Sequence, residues 1–131
     1  MTTKDLHNNI KPVVGIVPTL MSTNSIALGD IIDLQGYESV EFVNQVSSFT
    51  DGVYTPVIKE SDAANMAGEA EVADADLLGI EVAHTAAGIK KIGYIGKKRY
   101  VTCDIASTEV TTGATVTSTV IKGHPAVAPV A

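Results

Sequence analysis

The 131-residue sequence has no tryptophan, one cysteine and only six aromatic side chains: Tyr37, Phe42, Phe49, Tyr54, Tyr94 and Tyr100. With so few rings, a core has to be assembled from Val, Ile, Leu and Ala, which suits a thin sandwich of sheets. The plentiful Val, Ile and Thr agree, because β-branched side chains fit a pleated surface better than a helix. The missing tryptophan also counts against a glycosidase or a carbohydrate-binding module, since a sugar cleft uses aromatic platforms. Fifteen acidic residues supply many carboxylate pairs without singling out one at a catalytic separation.

Cys103 has no second cysteine, which excludes an intramolecular disulfide and a multi-cysteine zinc site. Within the strand-like run Tyr100–Ile105 it reads as a small buried hydrophobe. No apolar run approaches the roughly 18 residues needed to span a bilayer. Met1–Asn9 is polar and lacks the basic start and apolar run of a signal peptide, so the expectation is a soluble product of a reducing cytosol. Lys and Arg are absent between Lys59 and Lys90, where seven acids fall: Glu60, Asp62, Glu69, Glu71, Asp74, Asp76 and Glu81. That stretch reads as a solvated loop surface or, alternatively, a docking face for a basic partner. A net charge of −6 argues against a nucleic-acid binder, which shows a basic face.

Motifs that carry chemistry are also missing. His7, His84 and His124 have no ligand spacing, so each reads as a surface or tail residue and no zinc site is expected. There is no Gly-x-Ser-x-Gly elbow. Asp74–Gly79 resembles a calcium loop only loosely, because Leu78 stands at a ligand position. Gly93–Lys98 lacks the spacing and the Ser/Thr of a phosphate loop. No cofactor, metal or catalytic residue is assigned.

What is present is a succession of short strand patterns, of a length that fits one domain. Residues 1–23 read as an extended arm, because Pro12 and Pro18 exclude a helix. The arm is nonetheless apolar, through Ile10, Val13, Val14, Ile16, Val17, Leu20 and Met21. Such a segment must be buried, as an edge strand of its own fold or on a neighbouring subunit. Ser25–Leu34 reads as one strand or two short ones broken at Gly29-Asp30. Glu38–Phe49 alternates with period two, placing Val40, Phe42, Asn44 and Val46 on one face. Asp51-Gly52 then predicts a hairpin back into Val53–Lys59. Ala75–Leu78 reads as a helical turn closed by Gly79, with Leu77 and Leu78 pinned to the core. Strands are expected at Ile89–Ile95, Arg99–Ala106 and Ala114–Lys122. Lys97, Lys98 and Arg99, with Lys90 and Lys91, form the one basic cluster, either a solvated turn or a patch that meets an acidic face such as 60–81 of a second copy. The fold class is all-β: an antiparallel sandwich or barrel, jelly-roll or immunoglobulin-like, over residues 24–122, with an extended tail at 123–131.

Several blocks, in order, resemble a family of small virion proteins from tailed bacteriophages and prophages. They are Lys4–His7, Ile32–Phe42, Thr50–Pro56, Ala75–Gly79, Ile92–Val101 and Lys122–Pro125. The chain departs from the family pattern at Ala63–Ala67, where members often carry a Trp-bearing hairpin. The resemblance implies a head-associated structural protein, a capsid cement or decoration protein synthesised in the host bacterial cytoplasm and resident in the virion. Its implied partners are the major capsid protein and further copies of itself, as a homotrimer, with no direct nucleic acid and no membrane. The apolar arm residues, Lys97, Lys98, Arg99, His124 and Pro125 are the expected interface. A neck or tail ring component and a host-surface-binding module are the alternatives.

Overall fold

The period-two pattern of Tyr37–Ser47 decides the architecture. Val40, Phe42 and Val46 are almost fully buried, together with Asn44, while Gln45 is exposed. The computed structural model, which describes residues 5–126, has ten strands: β1 (Ile10–Met21), β2 (Ile26–Ala27), β3 (Ile32–Asp33), β4 (Tyr37–Ser47), β5 (Val53–Ser61), β6 (Ala70–Glu71), β7 (Leu77–Leu78), β8 (Gly88–Tyr94), β9 (Tyr100–Thr108) and β10 (Ala114–Pro125). Single 3-10 turns lie at His7–Asn9 and Asp74–Asp76.

All pairings are antiparallel. Sheet A runs β1-β10-β4-β8-β7, and sheet B runs β2-β9-β5-β6 with β3 also on β9. β2 and β3 are one interrupted strand along β9, pairing at Ala106–Ile105 and again at Val101–Tyr100. The interruption follows from Gly29, where a Cβ would lie 2.1 Å from the Cys103 carbonyl oxygen. With β2/β3 counted once and the short β7 set aside, eight strands remain. Their order is first-last-third-sixth in one sheet and second-seventh-fourth-fifth in the other. That is the order of a jelly roll, two Greek keys folded into a double sheet.

This topology overturns the hairpin expected at Asp51-Gly52. β4 belongs to sheet A and β5 to sheet B, so residues 48–52 cross from one sheet to the other. The Asp-Gly turn signal is real, but its acid serves another loop. Asp51 accepts backbone N–H bonds from Thr111, Thr112 and Gly113 at 2.9–3.1 Å, and these bonds hold its carboxyl below the usual range. Gly113 is required there, since its φ is +108° and a Cβ would lie 2.0 Å from the Met21 carbonyl oxygen. The helical turn before Gly79 spans only Asp74–Asp76, and Leu77 is buried while Leu78 is exposed.

The boundaries drawn at residues 23 and 123 do not separate an arm and a tail from the body. β1 pairs with β10 from Ile10↔Gly123 to Met21↔Ala114, the edge-strand alternative for the apolar segment. β10 continues through Gly123 to Pro125, opposite Tyr37. Residues 1–4 and 127–131 of the expected arm and tail lie outside the described residues.

The core has two apolar clusters. One is centred on Phe42, Ile58, Ile92, Val101 and Val120, the other on Ile16, Met21, Tyr54, Ile105 and Val116. At the level of Ser118↔Asn44 a polar pair lies between the sheets, with Cys103 Sγ 3.6 Å from Asn44 Oδ1. Burial raises the Cys103 thiol to about 12.

Candidate interaction surfaces

Three surface features could do work, and each follows from where a strand ends or lies at an edge. The first is a belt along one side of the sandwich, where the β1 edge of sheet A meets the β2/β3 edge of sheet B. The Asp30 N–H donates to the Gly15 carbonyl at 2.7 Å and ties the two edges together. Val14, Val17 and Leu20 of β1 are 52–66 % exposed, and Ile26, Leu28 and Ile31 are 45–75 % exposed. Val14 and Ile31 line one shallow hollow across the junction. The β1 backbone itself is interrupted: Pro12 and Pro18 lack N–H donors, and register shifts fall between Val14 and Ile16 and between Ile16 and Thr19. Prolines and bulges are the devices that stop an edge strand from recruiting another strand.

The second feature is a hollow of about 460 Å3 opening on the outward face of sheet A, with Leu6, Ile10, Leu78, Ile95 and Ile121 among its walls. Gly93 and Gly123 contribute backbone without side chain to the same lining. Ser39 Oγ and His124 Nδ1 lie 2.8 Å apart at its margin. A Ser–His pair acts as a nucleophile only when a third group orients the imidazole and donors await an oxyanion. Among the described residues, Ser39 is the one side-chain partner of His124.

The third feature is a hollow of about 420 Å3 at the end of the sandwich, between the Leu34–Tyr37 turn and Gly96–Arg99. Its basic side chains are largely committed. Arg99 forms two 2.8 Å bonds to Asp33, and the guanidinium there holds the Asp33 carboxyl at about 2. Lys98 pairs with Asp62 at 2.7 Å. The basic cluster and the acidic stretch therefore meet within one chain at Lys98–Asp62, a pairing the sequence had suggested between copies.

The expected interface residues separate into groups. Val14, Val17 and Leu20 are outward and Lys97 is free among the described residues. Ile10, His124 and Pro125 border the outer hollow. Val13 packs partly against the core, and Ile16 and Met21 are 4 % and 3 % exposed in the domain's own interior. These last two are corrections: they face inward because β1 is a strand of this sandwich, and they are closed to a partner.

His84 is a further correction. Far from lying on the surface, it is 1 % exposed, its backbone exchanges hydrogen bonds with Tyr54, and burial lowers its pKa. Glu81, three residues earlier, accepts the Ile58 N–H at 3.0 Å. Together they make residues 79–87 a strap along β5. Among the described residues no group of three or more His, Cys, Asp or Glu side chains converges as a metal site would require. Among the described residues no helix is long and apolar enough to cross a membrane.

Sequence reasoning missed the two hollows, because they arise from chain segments distant in sequence. A faint signal existed in Gly93 and Gly123, since glycine inside a strand marks places where another group approaches the backbone. Comparison with protein-family models, with curated proteins and with solved structures finds no match.

Proposed function

We propose that this chain is a non-enzymatic structural protein of a bacteriophage virion, a cement or decoration protein that binds the major capsid protein and stabilises the head. The observation that carries the reading is the apolar belt. Burying a Val, Leu or Ile side chain is worth about 1.5–3 kcal/mol, so six of them in water along one side favour a protein partner. The resemblance of the sequence to small virion proteins points to which partner. A jelly-roll sandwich filled by two apolar clusters is a compact body suited to clamping neighbours, and viral capsid domains use that architecture, although fold alone does not fix function. Assembly as a homotrimer repeats each weak contact, and multivalency then turns modest affinity into firm attachment.

The test uses heads of the phage or prophage that encodes the chain. Val17→Asp combined with Leu20→Asp places two charges in the belt at positions that are already exposed, so the fold survives. The expected result is at least a tenfold loss of co-sedimentation with heads and a lower temperature of head rupture. Unchanged attachment overturns the belt as the contact. A copy number near six to twelve per particle, in place of scores to hundreds, overturns the cement role in favour of a neck or tail ring.

A further inference from the structure

We infer that sheet A contains a strand-accepting slot beside Tyr37–Ser39, shaped for an extended segment of another polypeptide in which apolar and acidic side chains alternate. The slot exists because two strands flanking β4 have unequal lengths. On one side β10 accompanies β4 from Ser47 to Tyr37. On the other, β8 accompanies it only from Val46 to Val40, where Tyr94 is the last partner. Beyond Tyr94 the ladder with β4 stops, and the Ile95 N–H is committed to the β7 side, donating to the Asp76 carbonyl at 2.8 Å. Residues 37–39 are thus paired on one flank only.

Successive residues of an antiparallel strand direct their N–H and C=O groups to opposite flanks. The Tyr37 N–H is already taken by the Leu34 carbonyl at 3.0 Å. Whichever parity holds, either Glu38 or Ser39 turns both backbone groups toward the vacant flank. In contrast to β1, this stretch has no proline and no register shift.

The two hollows lie on either side of this vacancy. Both include Glu38, Ser39, Val40 and Tyr94 in their walls. A strand laid beside β4 sends its side chains alternately to the two faces of the sheet, hence alternately into the two hollows. The outer one is apolar, with Leu78 and Ile95 each more than half exposed. The end one carries Lys97, whose neighbours Lys98 and Arg99 are already bound to Asp62 and Asp33. An apolar side chain suits the first and a carboxylate the second. Recognition of this kind takes affinity from main-chain bonds and specificity from alternate pockets.

The donor is another polypeptide. Every strand among the described residues already has a partner, and residues 1–4 and 127–131 carry no acidic side chain. The slot does not depend on the capsid reading, since the isolated chain presents it.

The experiment titrates the full chain with labelled eight-residue peptides alternating Leu or Val with Asp, followed by anisotropy and by amide chemical shifts. Expected are saturable binding and shifts concentrated at residues 37–39 and 95–97. A peptide of the same composition with its acids grouped at one end should bind at least tenfold more weakly, as should one with N-methylated backbone amides. Ile95→Asp should weaken the parent peptide about tenfold, and Lys97→Glu about threefold, with recovery when the peptide's Asp residues are exchanged for Lys. Equal binding of the grouped or N-methylated peptide, shifts confined to another face, or no saturable binding overturns the slot.

Discussion

Two open flanks in sheet A, along β1 and beside Tyr37–Ser39, are built on opposite plans. Along β1 the backbone is spoiled for pairing by Pro12, Pro18 and two register shifts, while the side chains Val14, Val17 and Leu20 stay greasy and outward. Beside Tyr37–Ser39 the backbone is regular and available, and the recognition surface is recessed in two hollows. Such a division discourages open-ended strand stacking. The long β1 flank is read through side chains only, and the vacancy beside Tyr37–Ser39 is three residues wide, too short to template a sheet.

The comparison can be broken most severely through the strand that supports both flanks. Phe42→Ala empties the centre of the larger core cluster and should cost roughly 3–5 kcal/mol, seen as a lowered midpoint in urea. Belt and slot should then be lost together. A large but different effect is expected from Pro12→Val with Pro18→Val. Restoring donors on β1 should convert a defined species into concentration-dependent higher oligomers by light scattering, whereas the same exchange at half-buried Pro125, at the end of interior strand β10, should leave the mass distribution unchanged.

A more modest effect sharpens the slot side. Arg99 holds Asp33 at about 2, below the unfolded value of 3.8, so the pair's contribution is fully present above pH 3.8 and is lost as pH falls toward 2. Asp33→Asn should flatten that part of the dependence of melting temperature on pH, with the parent and variant curves converging near pH 2. If the curves stay parallel across the window, the ion pair does not brace the end hollow. The smallest expected effect is at Cys103. Its buried thiol, raised to about 12, should resist alkylation at pH 8 in the native protein and react only at the rate of unfolding.

Much of the fold was legible where local pattern and tertiary burial agree. The alternation of Val40, Phe42, Asn44 and Val46 marks an inward face, and Cys103 is buried as its strand context implies. The break at Gly29-Asp30 divides β2 from β3, with backbone pressing on Gly29. What local pattern cannot encode is which strand a turn leads to. Asp51-Gly52 has the chemistry of a hairpin, yet Asp51 binds Thr111–Gly113, some sixty residues later. Proline also misleads in β1: it excludes helix and weakens a ladder, but an edge strand tolerates it, so the segment reads as an arm although Ile16 and Met21 are core. The hollows were illegible for the same reason, being bounded by residues near 6, 39, 78, 95 and 123.

The position of β10 has a consequence for how the molecule comes into being. This strand, last in chain order, lies between β1 and β4 in the interior of sheet A. A nascent polypeptide emerging from the ribosome therefore carries the first and third strands of that sheet with nothing to join them, and sequence-distant pairing is intrinsically slow. Only when residues 114–125 are available can the sheet close, so the fold is completed by one late insertion, and chains still lacking it present sticky margins to one another.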